Sequence, residues 1–578
     1  MTPGRAGHIA YLEQSEDLLD GGNVQAALHA ASAACFAAPH LPEAHYAYGQ
    51  AWLALGDAAR AEQAFAAALQ LAPDSPDAWM SFGVARYRQG HLVDAIRAMR
   101  QALLHAPDHQ AAIANLGVFL RLNSDTQGAE AVLKSALEQA PDNIGARLNY
   151  VAELLQEDKL ADALRLLEDG GPPRDNPDAH RHWLLQVAGL LLMLDRADEA
   201  RDKLAEFTAL GPVPADMAPL YHARETSLAL VGRYTAAAEA AASRMETSLS
   251  AAPPTADPEH QIVGRVQLAH FWMRRGERSK AFGFWHAAHA RMQSFQTFSR
   301  DEHLAFIEAN IATFTAERFA AGPRASNADT APVFIVGMPR SGTTLAEQIL
   351  GAHAQAFPAG ERGALRLAFQ TLAGGSRAPA VRRLSMQSQL VLDRAAASYL
   401  EELRALAPEK AHIVDKMPGN TQFLALVGLM LPGARIIHCV RDPRDIGFSI
   451  FTHRFLGHHP YAHDLSDLGW MIAQTERLMD HWKRVLPNPI LTLALHEWVE
   501  DFNATLDRVL THVGLPHDPN CAEFYKSDAP VRTASRYQVR QPVNARGLGR
   551  WKHYERELAP LIAELDAAKA LDRWVEPN

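Results

Sequence analysis

Residues 333–344, VFIVGMPRSGTT, hold side chains and glycines spaced for anion chemistry. The apolar run Val333, Phe334, Ile335, Val336 stops at Gly337, Gly342 follows five residues later, and the periodic segment LAEQIL then begins a helix. A strand, a glycine-bounded turn and a helix N-terminus offer successive backbone N–H groups and a positive helix end to an anion. In nucleoside triphosphatases the second glycine of such a loop is followed by Lys and then Ser or Thr. Here Thr343 and Thr344 follow, so the charge that reaches β- and γ-phosphates is missing. Thr344 stands where Mg²⁺ would be held, but without the lysine a metal–triphosphate site has little support. The loop suits a smaller anion, one phosphate bearing one sulfate, with Arg340 supplying charge-assisted contacts.

More polar residues follow strand-like runs further along. HIVD (412–415) leads to Asp415 and Lys416, ARIIHCV (434–440) leads to Arg441 and Asp442, and ILTLAL (490–495) is a further run. Helical patterns at 382–407 and 469–486 separate them. Strands alternating with helices predict an α/β domain with a mostly parallel central sheet, P-loop-like at its first turn, in which ligands bind at the carboxyl ends of the strands. The polar residues gather at that edge.

PRSGTT behind a strand resembles the 5′-phosphosulfate loop of sulfotransferases that use 3′-phosphoadenosine 5′-phosphosulfate (PAPS). The resemblance implies that Pro339, Arg340, Ser341, Gly342, Thr343 and Thr344 cradle the donor. VRDPRDIGFSIF (440–451) is similar to the 3′-phosphate motif of that family and implies that Arg441 and Ser449 bind the 3′-phosphate. Pro443 suits the first turn of a helix, and two turns bring Ser449 back to roughly Arg441's side.

The resemblance covers nearly all of residues 331–557 and is closest to the tyrosylprotein branch and its bacterial tetratricopeptide-fused relatives. It implies Glu361 as catalytic base, Lys416 at the transferring sulfate, and Ser535 (in SRYQVRQPVN) near the sulfuryl group. Arg340, Lys416, Ser535 and the loop amides would meet the charge growing on the leaving phosphate. PAPS is then the donor and adenosine 3′,5′-bisphosphate the product, with no metal. In GRWKHYE, Trp551 and Lys552 either flank the nucleotide by stacking and charge or are a core Trp beside a surface Lys. The chain departs from the branch at His496-Glu497-Trp498, where Tyr-Glu is usual, and at His453, with Arg454 one step late. THRFLGHHPYAH (452–463) carries four histidines and reads as a loop over the acceptor site rather than a metal centre.

Upstream, Pro39, Pro73, Pro107 and Pro141 recur every 34 residues, in frame with Gly49, Gly83 and Gly117 and with Ala27, Ala61, Ala95, Ala129 and Ala163. That period with small residues at fixed positions is similar to tetratricopeptide (TPR) repeats. It implies an all-α superhelical solenoid in which a Gly on one helix faces an Ala on the next. About seven or eight helix pairs run through about residue 295. The expected organisation is a solenoid over 1–320, a small-residue linker over 321–332 (GPRASNADTAP within it), and the sulfotransferase domain over 333–578. The solenoid's groove would take a peptide or protein substrate, or the array would form a homodimer or position the catalytic half.

Composition sets the outer bounds. The chain has 578 residues, 48% hydrophobic and 21% charged, with a net charge of −10, which argues against a general nucleic-acid binder. Cys35, Cys439 and Cys521 form neither a disulfide framework nor a zinc knuckle. The N-terminus lacks the apolar core of a signal peptide, and the longest apolar stretch, VAGLLLML (187–194), is far too short for a membrane span. The expectation is a soluble cytoplasmic enzyme that sulfates a tyrosine. A carbohydrate or phenolic hydroxyl as acceptor, or a scaffold with an inactive nucleotide-binding half, are the alternatives.

Overall fold

Sixteen helices run from Pro3 to Gln293 as eight helical hairpins, in a computed structural model that describes residues 3–574 except 90, 123–125, 142, 157–158, 174–175, 232–235, 252–257, 295, 456–458 and 527–538. Each recurrent proline stands just beyond the second helix of its hairpin, after Val24–Ala37, Ala58–Leu71, Leu92–His105 and Thr126–Gln139, because proline cannot continue a helix. Helix starts are capped where the sequence supplies a short polar side chain. Asn23, Asp57 and Ser75 accept from the backbone N–H groups of Ala26, Arg60 and Ala78.

The expected Gly-against-Ala contact is present at Gly83, where Ala98 Cβ would lie 3.0 Å from an added Cβ, but the nearest neighbour of each of the three glycines is a larger side chain. A Cβ on Gly49 would lie 2.5 Å from the Phe65 ring, one on Gly83 2.5 Å from Met99, and one on Gly117 2.7 Å from Leu133. Each glycine makes room for a large side chain on the next helix, and that side chain fills the core between them. Ala61, Ala95 and Ala129 are fully buried beside them.

Packing divides the chain into two units, one of Met1–Leu155 with Ala161–Gly171, the other of Gln156–Leu160 with Pro172–Asn578. In the second unit the later hairpins are followed by helices Arg300–Thr313 and Ala316–Ala321 and then by a five-stranded sheet. Its strands are β1 (Pro332–Gly337), β2 (Ala356–Gly360), β3 (His412–Lys416), β4 (Arg435–Val440) and β5 (Ile490–Ala494), in the order β2-β3-β1-β4-β5 and all parallel.

Alternation along β1 explains its two-sided burial. Phe334 and Val336 join a core with Phe369, Tyr399 and Trp482, whereas Val333 and Ile335 join one with Ile349, Leu350 and Leu506. Edge strand β2 was not visible in the sequence, since AFPAG lacks a β-branched run and its pairing shifts register between Pro358 and Gly360. The pattern at 382–407 splits into helices Ala378–Ser385 and Gln389–Ala405, the second capped by Ser388.

The segment before β1 is extended and tied down. The Ala325 and Asn327 side of it reaches Leu429 O (2.8 Å) and Met430 O (2.6 Å), and Arg404 clasps Asp329 through both carboxylate oxygens. Helix Arg278–Gln293 shares a core with the sheet's flank: Phe282 stacks on Phe451 at 5.2 Å, and Trp285 meets Phe448 and Tyr554 edge-on. Among the described residues no helix is long and apolar enough to cross a membrane.

Candidate active site

The pairings Ile335 with Lys416 and Gly337 with Cys439 set the ends of β1, β3 and β4 side by side, so the polar residues that follow each strand share one edge. The loop leaves β1 at Gly337, where φ is +145° and a Cβ would lie 2.4 Å from Cys439 O. Arg340 takes a left-handed φ of +71°, unusual for a non-glycine residue. Gly342, at +104°, then opens helix Thr343–Gly351 without a side-chain cap. Thr343 and Thr344 are buried at its start, and the Ser341 hydroxyl is buried with no hydrogen-bond partner.

Arg441 and Ser449 converge through Arg340. The Arg340 Nε donates to Ser449 Oγ at 2.9 Å, and an Arg441 guanidinium nitrogen donates to the Arg340 carbonyl at 3.0 Å. Helix Pro443–Phe451 produces this geometry, with Pro443 in its first turn and Ser449 two turns on. Another Arg441 nitrogen donates to Gly547 O, while Arg441 Nε is buried without a partner. Burial lowers the Arg340 pKa to about 10, with Arg441 and Arg550 adding repulsion; burial also lowers that of Arg441, against the pull of Asp445. The three guanidinium groups thus repel one another, and the buried N–H of Arg441 Nε has no partner.

Arg550 was missed in the sequence, although it adjoins Trp551 in GRWK. The turn carrying it is fixed by Asp445, which accepts from Gly549 N (2.6 Å) and Trp551 N (3.1 Å). Trp551 itself is 7% exposed in an apolar cluster with the Arg444 guanidinium 3.9 Å above its ring, and Lys552 is exposed. Glu497 accepts from Ala494 N and Arg508, capping its own helix, and Trp498 is core. Arg454 pairs with Glu259 of the helical array. His463 lies 3.0 Å from His289 on helix Arg278–Gln293, and His459 N donates to Gln296. Ser535 and His458 lie outside the described residues.

On the other side of the loop, Lys416 is fully buried. Its ammonium lies 2.5 Å from Glu361 Oε1 and 3.5 Å from Glu347 Oε2. Burial alone would lower its pKa, but the two carboxylates outweigh burial and raise it. Burial pushes Glu347 up to about 7 against the pull of Lys416, although its Oε1 also accepts from Gly360 N at 2.9 Å. Neighbouring Asp415, buried and accepting from Tyr399 Oη at 2.5 Å, is pushed up to about 6 by that burial.

Because the Asp415 pKa is raised on folding, its contribution to stability is full below about pH 4 and is lost as pH rises through about 6. Wild type is expected to lose about 1–3 kcal/mol more than Asp415→Asn between pH 4.5 and 7.5. Urea unfolding across that range checks this, and parallel pH profiles would refute it.

The loop, the arginine cluster and the lysine–carboxylate pair lie along one strand edge of a parallel α/β domain whose first turn is of the phosphate-loop type. Comparison places it more narrowly. Residues 332–519 match the Sulfotransferase family, and residues 12–76, 81–144 and 120–182 match Tetratricopeptide repeat models. The chain joins TPR repeats to a sulfotransferase-family domain.

An "Uncharacterized protein" of Aquifex aeolicus is 27% identical over 71% of this chain and 53% of its own length. A "Putative protein-tyrosine sulfotransferase" of Caenorhabditis briggsae is 31% identical over 21% of this chain and 43% of its own length. The chain thus spans about half the length of these relatives. A tetratricopeptide repeat protein from Parabacteroides merdae aligns with 45% of this chain and 99% of its own, at 17% identity and a TM-score of 0.35.

Proposed function

We propose that this protein transfers the sulfuryl group of PAPS to an acceptor hydroxyl, with a tyrosine of a peptide or protein as the acceptor and the TPR array helping to bring it. The observation that carries the reading is the arrangement around Arg340. A phosphate-type loop with an unpartnered Ser341 hydroxyl lies beside buried Arg441, whose Nε is also unpartnered, with the Lys416–Glu361 pair at the same strand edge. The tyrosine acceptor is favoured by the resemblance to the tyrosylprotein branch and by the name of the Caenorhabditis relative.

The residues present fit the donor. Residues 339–344 would hold the 5′-phosphosulfate through loop N–H groups, the Ser341 hydroxyl and Arg340, while Arg441, Ser449 and Arg550 would meet the 3′-phosphate. PAPS supplies the sulfuryl group and leaves as adenosine 3′,5′-bisphosphate. Glu361, 39% exposed at its side chain, would take the acceptor's proton. Lys416 and Arg340 supply fixed positive charge for the oxygen that gains electrons.

Adenosine 3′,5′-bisphosphate is expected to stabilise the protein by about 2.7 kcal/mol at a hundred times its Kd, and ATP with Mg²⁺ far less. Labelled PAPS offered with tyrosine peptides, saccharides and phenols then identifies the acceptor by mass spectrometry. Stabilisation by ATP–Mg²⁺ equal to that by the bisphosphate, with no labelled product, would overturn the reading.

A further inference from the structure

We propose that Glu347 is a positioning residue of this site, a second counter-ion that keeps Lys416 charged and in place when Glu361 leaves their pair to take the acceptor's proton. This rests on the sulfotransferase reading. Glu347 lies just over one turn into the helix after the loop and is 3% exposed, so its carboxylate is not there for solubility. Its two oxygens have separate partners: Oε1 accepts from Gly360 N at 2.9 Å, and Oε2 faces Lys416 Nζ at 3.5 Å. One lysine charge is therefore held between two carboxylates, the nearer being Glu361 at 2.5 Å.

A single pair would work against itself here. While Lys416 and Glu361 are bound to each other, the base is masked and the cation neutralised. During transfer the acceptor hydroxyl's proton passes to Glu361, and the acceptor oxygen's lone pair forms the new bond to sulfur. The bond from sulfur to the bridging oxygen breaks, leaving its electron pair on the 5′-phosphate of adenosine 3′,5′-bisphosphate. At that moment Glu361 is neutral, and a fully buried Lys416 with no other anion would be an uncompensated interior charge. Glu347 removes that difficulty, since Lys416 stays paired from behind while its charge serves the leaving oxygen.

The same carboxylate also sets the base, because Gly360, at a φ of +76° in the irregular end of β2, immediately precedes Glu361. The other titratable groups facing Lys416 are the Cys439 thiol on β4, pushed up by burial, and Asp415 on its own strand, whose oxygens accept from Tyr399 and Asn420. Burial raises the Glu347 pKa and Glu361 adds repulsion, as expected for two acids sharing one cation.

Glu347→Gln keeps the shape and an acceptor for Gly360 N–H but removes the charge. Lys416 titration is read by NMR of ¹³Cε-labelled lysine, with Lys416→Arg assigning the signal, and the pH profile of kcat/KM is read in parallel. In Glu347→Gln the Lys416 pKa is expected to fall by about one unit or more, and the alkaline limb of kcat/KM to move with it. Turnover should drop roughly tenfold or more with donor KM within about twofold, as for an interaction used mainly in the transition state. Glu347→Asp should return the limb towards its wild-type position. An unchanged Lys416 titration and an unmoved alkaline limb in Glu347→Gln would overturn the proposal. Absence of sulfuryl transfer in wild type would instead overturn the functional reading, and the Lys416 titration would still decide what Glu347 does.

Discussion

Lys416→Ala should lower sulfuryl-transfer turnover by at least about 100-fold and the folding free energy by about 3–5 kcal/mol. The two losses have one origin. Lys416 is wholly buried, and its ammonium lies 3.5 Å from Oε2 of Glu347, itself 3% exposed. Removing it strands a buried carboxylate, whose pKa must then rise further, and removes the fixed positive charge that, in the proposed reaction, would meet the oxygen gaining electrons.

Glu361→Gln provides the contrast. Its side chain is 39% exposed, so losing its charge should cost little stability while turnover still falls by about 100-fold or more through loss of the base. Labelled-sulfate turnover together with urea unfolding separates the cases. Near-wild-type turnover in either variant would remove that residue from its role, and an unchanged unfolding midpoint for Lys416→Ala would show that Glu347 needs no cation.

Arg441→Ala should abolish the preference for a 3′-phosphate. Arg441 is 7% exposed, its Nε has no partner, and a neighbouring nitrogen holds the Arg340 carbonyl of the loop. A charge-assisted contact of this kind contributes about 1.5–3 kcal/mol, and two such contacts predict roughly 100-fold or more weaker binding of adenosine 3′,5′-bisphosphate. Adenosine 5′-phosphate, which lacks the group Arg441 would grip, should lose far less. Calorimetric titration of both nucleotides gives the ratio, and equal weakening of the two would mean that Arg441 only supports the loop. Ser449→Ala, which removes the acceptor of Arg340 Nε, should have a smaller effect of about tenfold.

The residues differ in how openly they declared these roles. The phosphate-type loop was legible because glycine spacing after an apolar run has few other uses, and the 34-residue period was legible because four prolines keep phase. Strand ends were legible for the same reason: Lys416 and Arg441 each close a β-rich run. Glu347 was not, because a carboxylate within LAEQIL reads as the polar face of an amphipathic helix until the sheet closes over it. Arg550 depends on a turn held by Asp445, a contact across more than a hundred residues that no local pattern encodes. The repeat glycines show a subtler limit. Their period was plain, but their partners, Phe65, Met99 and Leu133, follow from packing depth rather than spacing.

The aromatic contact between helix Arg278–Gln293 and the flank of the sheet bears on how such a chain can be inherited or rebuilt. Phe282 and Trp285 form a plate under the helix that bears Ser449, so this hairpin travels with the transferase or not at all. Recombination that grafts one array onto another catalytic half would have to cut upstream of Pro258, since a cut at residue 321 would strip that plate away. The earlier hairpins contribute nothing to that plate and are left to diverge on their own, while the final hairpin must change in step with the helix that carries Ser449.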